Sequence, residues 1–395
     1  MESKLQKLHT KLCTCAVFRG VLEHPVFSLF GNYCSASEKG DFFKKMNFYG
    51  AFVSEIYVGG GSLTDLVQKI VFANENVYVK AVAKGETVNA HILAAAKEEL
   101  KLFSEFASLT AEDFALDMEI SVKEIPNFDS FDADMGALYE KRLSNIQRHG
   151  YGIFSSYGMF RLSDDKIIEP ILSADKIGMD SFIGYEEERR KVVENTKAFL
   201  ENRPAANTLL CGDAGTGKSS TVKAVANAFF DEGLRLIELR KDQLRYLPYV
   251  MGKISGNPLK FIIFIDDLAF NRSDDNFSML KAALEGSASA TAENAVIYAT
   301  SNRRHIIKES FGDREGDDVH VNDTLQETLS LSERFGLTVL FSRPNKQLYL
   351  EIVHQLAVRY GIPVTKELDI QAEAFAIKKG NRSARGAEQF IDSLR

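Results

Sequence analysis

The pattern of apolar positions changes character twice along the chain. Up to about residue 150 it is helical. Ile92, Leu93, Ala96, Leu100, Phe103 and Phe106 make one stripe over residues 90–107. Ser62 with Asp65, and Thr110 with Asp113, have the spacing of helix-start capping boxes, and residues 135–147 predict a further helix. Gly59-Gly60-Gly61 breaks the chain ahead of Ser62. Phe27, Phe30, Tyr33, Phe42, Phe43, Phe48, Tyr49, Phe52 and Tyr57 are read as core. The pattern predicts a mostly helical domain over residues 1–150, without a chemical motif. Residues 151–178 read as a connector, interrupted by Gly152, Gly158, serines and Asp164-Asp165.

Beyond it, short apolar runs alternate with helical stripes. An amphipathic helix follows residues 180–186 and stops at Asn202-Arg203-Pro204. Strands are predicted at residues 207–210, 234–239, 259–267, 295–300 and 337–341, with a polar, acidic loop at 308–323. Strand–helix alternation implies right-handed crossovers, hence a five-stranded parallel sheet flanked by helices over residues 179–344. Residues 345–395 predict a helical cap of three helices, at 347–360, 368–379 and 383–394.

Composition narrows the class. The chain has 395 residues, 45% of them hydrophobic, enough for two or three globular domains. A net charge of -7 argues against a constitutive, strongly basic binder of duplex nucleic acid, and leaves a local basic groove open. Cys13, Cys15, Cys34 and Cys211 lack the spacing of a disulfide framework or metal site, and the histidines show no ligand spacing. The longest apolar strand, residues 261–265, is too short to span a membrane, and the N-terminus is a poor signal peptide. A soluble, cytoplasmic protein is expected.

The most specific stretch is Gly212-Asp213-Ala214-Gly215-Thr216-Gly217-Lys218-Ser219, followed by Ser220. It reads G-x-x-x-x-G-K-S between a predicted strand and a predicted helix, the context a P-loop needs. Glycines let successive N–H groups turn toward phosphate oxygens, and the helix start adds its positive dipole end. Lys218 is expected on the β- and γ-phosphates of a nucleoside triphosphate, and the Ser219 hydroxyl on Mg²⁺. A second motif ends the strand at 259–267 in Asp266-Asp267. Asp266 is placed to hold Mg²⁺, directly or through water. Asp267 is placed to orient or deprotonate an attacking water. Asn302, just past the next strand, is a candidate for positioning that water or touching the γ-phosphate. Arg334, in Leu331-Ser332-Glu333-Arg334-Phe335-Gly336, and Arg382 and Arg385 are candidates for stabilising phosphoryl charge.

Taken together, residues 176–395 resemble the AAA+ ATPases. The matching motifs, in order, are Ile183-Gly184-Tyr185, the P-loop, Asp266-Asp267, Asn302, Ser332-Glu333-Arg334-Phe335-Gly336 and Arg385. The resemblance implies an α/β nucleotide core with a C-terminal lid, Mg²⁺ and ATP hydrolysis. It implies that Ile183-Gly184-Tyr185 packs near adenine and that Asn302 is sensor one. Arg334 is then an arginine finger donated to a neighbour in a homo-oligomer. Arg385, with Arg382 as second choice, is sensor two. More narrowly, residues 265–268, 297–305 and 380–390 look like a bacterial AAA+ family labelled only as a domain of unknown function. One departure matters: most AAA+ proteins have Glu where this chain has Asp267, which implies hydrolysis that is slow or partner-dependent. The leading expectation is an ATPase that remodels or switches an unknown protein client. A helicase-loader-like or transposition-helper-like switch acting on nucleic acid or a DNA enzyme stays open, since those proteins share Asp-Asp-Leu. A small-molecule kinase is the third reading, with the arginine box and helical lid against it.

Overall fold

A computed structural model describes residues 3–38, 41–173, 177–268, 280–281, 284, 292–302, 334–380 and 382–395. The expected acidic loop at 308–323, and Leu331, Ser332 and Glu333 of the arginine box, lie outside the described residues. The chain divides into two compact units, residues 1–156 with 256–258, and residues 157–255 with 259–395.

The regular elements of the first unit are, among the described residues, helices joined by loops. Its helices are α1 (Lys4–Leu12), α2 (Pro25–Glu38), α3 (Phe42–Val58), α4 (Leu63–Ala73), α5 (Val77–Ala83), α6 (Ala90–Ala107), α7 (Ala111–Met118), α8 (Met135–Leu143) and α9 (Ile146–His149). Both helix starts are capped, Thr110 with Asp113 by a full capping box and Ser62 by half of the expected box: its hydroxyl accepts the Asp65 N–H, without the reciprocal bond. The predicted helix at 135–147 is split in two near Ser144. Phe27, Phe30, Tyr33, Tyr49 and Phe52 are buried, whereas Phe42, Phe43 and Tyr57 are exposed. Hydrophobic burial drives this packing. Among the described residues, the buried acid in the middle of it, Glu99, accepts the backbone N–H groups of Ala16, Val17 and Phe18 at 2.8, 3.0 and 2.8 Å. A buried carboxylate is tolerated because those donors replace water.

The second unit is an α/β layer structure. Its strands are β1 (Met159–Leu162), β2 (Ile168–Pro170), β3 (Thr208–Gly212), β4 (Leu234–Leu239), β5 (Lys260–Ile265), β6 (Ala295–Ser301) and β7 (Leu337–Phe341), in the sheet order β2-β1-β4-β5-β6-β3-β7. Every pairing is parallel except β1 with β2. The five expected parallel strands are all present. The sheet is larger than the expected five because residues 159–170, read as connector, form an antiparallel hairpin on the free edge of β4. Strands of four and three residues are too short for a period of two to register.

Helices α10 (Glu186–Leu200), α11 (Lys218–Ala228) and α12 (Leu247–Ile254) belong to this core, and α13 (Lys346–Arg359), α14 (Lys366–Lys378) and α15 (Ala384–Asp392) form the lid. Each lid helix has a side-chain N-cap, from Asn345, Thr365 and Ser383. Their apolar faces, with Tyr349, Ile352, Leu368, Phe390 and Ile391, close a small core that also takes in Ile183. The foot of β3 is pinned by Asn195 of α10. Its amide donates to the Ala206 carbonyl, the Thr208 hydroxyl and the Tyr298 hydroxyl, and accepts the Ala206 N–H. That fixes the strand carrying the glycine loop. Among the described residues no helix is long and apolar enough to cross a membrane. None of the four cysteines is in a disulfide, and Cys15, Cys34 and Cys211 are buried.

Candidate functional site

The glycine loop leaves β3 at the carboxyl edge of the sheet, where open α/β folds place ligands. Gly212, Gly215 and Gly217 have φ of +138°, +77° and +89°, conformations that side-chain-bearing residues avoid. At Gly212 a Cβ would also sit 2.0 Å from the Phe341 carbonyl oxygen of β7. Only glycine lets the loop leave β3 there. Gly217 caps α11 without a side-chain hydrogen bond, so the first helical N–H groups stay available.

Lys218 begins α11 with its side chain buried in the loop. Its ammonium donates to the Gly212 carbonyl at 3.0 Å, the Asp213 carbonyl at 2.7 Å and Asn302 Oδ1 at 3.0 Å. Burial lowers its pKa, opposed by the negative charges of Asp213, Asp266 and Asp267. Asn302 uses its other end as well: Nδ2 donates to Asp267 Oδ1 at 2.7 Å. One amide thus ties the loop's cation to the second carboxylate of β5.

Asp266 collects donors on a single oxygen. Its Oδ1 accepts the Ser219 hydroxyl at 2.6 Å, the Thr300 hydroxyl at 2.5 Å and the Asp267 N–H at 3.1 Å. Asp267 has φ +50°, so the chain turns out of β5 in the left-handed region, and its side chain is exposed. Its N–H is also held by the Thr300 hydroxyl at 3.0 Å. Thr300 was not singled out from the sequence. Its only signal there is a polar residue near the end of an apolar strand. The register Ile265↔Ala299 sets it beside Asp266.

Ala214, Gly215, Gly217, Lys218, Ser219, Ser220, Asp266, Asp267, Asn302 and Arg385 thus converge on one cavity of about 210 Å³, with Thr300. A second cavity, about 320 Å³, continues from Gly215, Thr216, Gly217 and Ser220 to Ile183, between α10's approach and the lid. Gly184 and Tyr185 are not among its lining. Gly184 has φ +72° and packs where a Cβ would meet Leu348 at 3.0 Å. Tyr185 is buried, lies 5.4 Å from the Phe341 ring, and donates its hydroxyl to the Ser342 carbonyl at 2.7 Å. Asp213 turns toward the same hinge, accepting the Arg343 N–H at 3.2 Å. The Arg385 N–H donates to the Gly215 carbonyl at 3.2 Å. The glycine loop is therefore bonded both to the segment leading into the lid and to the start of α15.

The remaining arginines separate. Arg382 does not reach either cavity; its guanidinium grips Glu373 of α14 through two hydrogen bonds, 2.9 and 2.7 Å. Arg334 precedes β7. Its neighbour Gly336 packs on Ala206, and the register pairs Leu337 with Thr208 but Phe341 with Gly212. Arg334 is thus at the amino edge of the sheet, more than ~13 Å from its own glycine loop at strand rise.

The parallel order β4-β5-β6-β3-β7, a P-loop between β3 and α11, and a helical lid after β7 make this unit an AAA+ fold. No curated protein matches the chain. Among solved structures, it is similar to the Thermotoga maritima RuvB Holliday junction branch migration motor. That match has 12% identity over 56% of this chain and 72% of the other, with a TM-score of 0.33. A threonine-to-valine variant of the same motor matches at 13% identity, with equal coverage and TM-score. Likeness this loose carries no inference about activity. The family model described as "Protein of unknown function (DUF815)" matches residues 155–395, which include every site residue named here, and the chain belongs to that family.

Proposed function

We propose that the chain is an ATP-hydrolysing AAA+ protein whose site is completed by a second copy. The observation that carries this is the linked set Lys218–Asn302–Asp267 beside Ser219–Asp266, all on one cavity at the mouth of the glycine loop. The free loop N–H groups, the α11 N-terminus and Lys218 suit a triphosphate. In the bound state the Lys218 ammonium exchanges loop carbonyls for phosphate oxygens.

The donor set also fits Mg²⁺. One hydroxyl and one carboxylate, Ser219 and Asp266, are hard oxygen ligands, and such sites leave the other positions to phosphate and water. Bound there, the ion supplies charge neutralisation on the phosphate oxygens. Asp266 keeps the hydroxyl of Ser219 in place while Thr300 fixes the turn into Asp267.

Hydrolysis has water attack the γ-phosphorus, breaking its bond to the β–γ bridging oxygen and releasing ADP and phosphate. Asp267 accepts the water's proton, and Asn302 holds Asp267 in register with Lys218. Asp267 is one methylene shorter than the usual glutamate, which favours slow basal turnover. Arg385 senses the γ-phosphate from the lid, and Ile183 flanks the base. Arg334, on the far edge from its own site, is the candidate finger for a neighbour. The helical N-terminal unit conveys the nucleotide state to a protein client. The acidic net charge favours this over the nucleic-acid switch.

The test is phosphate release from Mg-ATP together with ATP binding. Lys218→Ala is expected to weaken binding by about two orders of magnitude. Asp267→Asn is expected to bind normally and lose about 10²- to 10⁴-fold in turnover. Undiminished hydrolysis by Asp267→Asn overturns the mechanism, and no phosphate release by the wild type overturns the activity.

A further inference from the structure

Glu388 lies on α15 one helical turn beyond Arg385, a rise of about 4.5 Å. Arg385 lines both cavities, whereas Glu388 lines only the one that leads away from the glycine loop. Resting on the nucleotide reading above, we propose that the Glu388 carboxylate accepts hydrogen bonds from the ribose hydroxyls of the bound nucleotide, so that the lid reads the sugar.

The set of groups lining the cleft carries this. Arg385 lines the phosphate cradle and the cleft alike, and the cleft is lined beyond it by the acceptor Glu388 and the apolar Ile183, Ile352 and Leu356, with the cations Arg189 and Arg359. A nucleotide presents anionic phosphates, then a sugar with two hydroxyl donors, then a flat base with apolar faces. The cleft holds a chemical partner for each: arginine for phosphate, carboxylate for the hydroxyls, and apolar side chains for the base.

The carboxylate's bonding points the same way. Among the described residues the Glu388 carboxylate makes no hydrogen bond or ion pair. Arg385 and Arg359 act on it only through space, and Arg359 spends its donors on the Ser181 and Asp180 carbonyls. The side chain opens to solvent through the cleft, yet crowding around the carboxyl, and then the charge of Asp392, push its pKa upward. A donor arriving with the ligand relieves both effects. Nor does the fold need this side chain, because α15 buries Ala387, Phe390 and Ile391 instead. The variants below are therefore expected to fold.

The experiment measures Mg²⁺-dependent binding of ATP, 2′-deoxy-ATP, 2′,3′-dideoxy-ATP and GTP to wild type, Glu388→Ala and Glu388→Gln. Wild type is expected to prefer ATP over the dideoxy analogue by about tenfold. Glu388→Ala should bind both equally, at the wild-type level for the dideoxy form. Glu388→Gln keeps an acceptor oxygen and should retain part of the preference. Wild-type indifference to the hydroxyls overturns the proposal while leaving ATP binding standing. So does full sugar discrimination in Glu388→Ala, including the case where that variant changes only the ATP-to-GTP ratio, which would assign the carboxylate to the base. Failure of wild type to bind any of the four overturns this proposal and the nucleotide reading together.

Discussion

At the scale of single residues, the candidate site depends on two small polar side chains that each serve two partners. Asn302 joins Lys218 to Asp267, and Thr300 donates to Asp266 while accepting the N–H of Asp267. Thr300 is 2% exposed, so both of its bonds are sheltered from water. Valine has the same shape without the hydroxyl. Thr300→Val is therefore expected to lower unfolding stability by about 1–2 kcal/mol in urea titration. It should reduce kcat for Mg-ATP more than ATP affinity, because Asp267 loses the bond that sets its left-handed turn. Equal losses in kcat and affinity, or none in either, would remove Thr300 from the machinery. The chemistry-bearing letters here were legible because a P-loop has fixed spacing and because Asp266-Asp267 ends an apolar run. Thr300 was not, since its role comes from the β5–β6 register, which no local pattern encodes. The ambiguity between Arg382 and Arg385 was likewise not resolved by spacing: Arg382 precedes the N-cap Ser383 and turns to Glu373, whereas Arg385, inside α15, lines the cavity.

Elements show a different kind of dependence. The glycine loop is wedged between β7 below and the lid above, so its glycines are not equivalent. Gly212 combines φ +138° with a Cβ position 2.0 Å from the Phe341 carbonyl, whereas Gly217 has φ +89° and nothing within 4 Å of its Cβ. Gly217→Ala should cost only left-handed strain, about 1–2 kcal/mol. Gly212→Ala must also part β3 from β7, and should cost about 3 kcal/mol or more. Thermal unfolding of the two variants checks the order, and equal shifts would contradict it. The long elements were legible: the β7 and α6 bounds agree with the sequence reading, and the lid helices agree to within a few residues. The short ones were not. β1 and β2 offer too few positions for alternation, and α12 begins with Leu247-Pro248 after a 3₁₀ stretch that hides its phase.

For the whole molecule, the decisive geometry is the separation of Arg334 from its own glycine loop across β7. On the proposed reading, Arg334 at the amino edge of the sheet acts on a site supplied by another chain. In light scattering, the ATP-bound protein is expected to be larger than a monomer. The sharper prediction uses two inactive variants. Lys218→Ala retains Arg334 but holds nucleotide about two orders of magnitude more weakly; Arg334→Ala holds nucleotide but donates no finger, and should lose about 10³-fold in turnover. Mixed in equal amounts and allowed to exchange, they form some interfaces in which the Lys218→Ala copy donates Arg334 to the intact site of the Arg334→Ala copy. Random assortment makes that about a quarter of all interfaces in a closed ring of heterologous contacts. Phosphate release should therefore return to roughly that fraction of wild type, whereas neither variant alone shows it. If co-purification proves that mixed assemblies form and no activity returns, Arg334 does not act between subunits, and each site must be complete within its own chain.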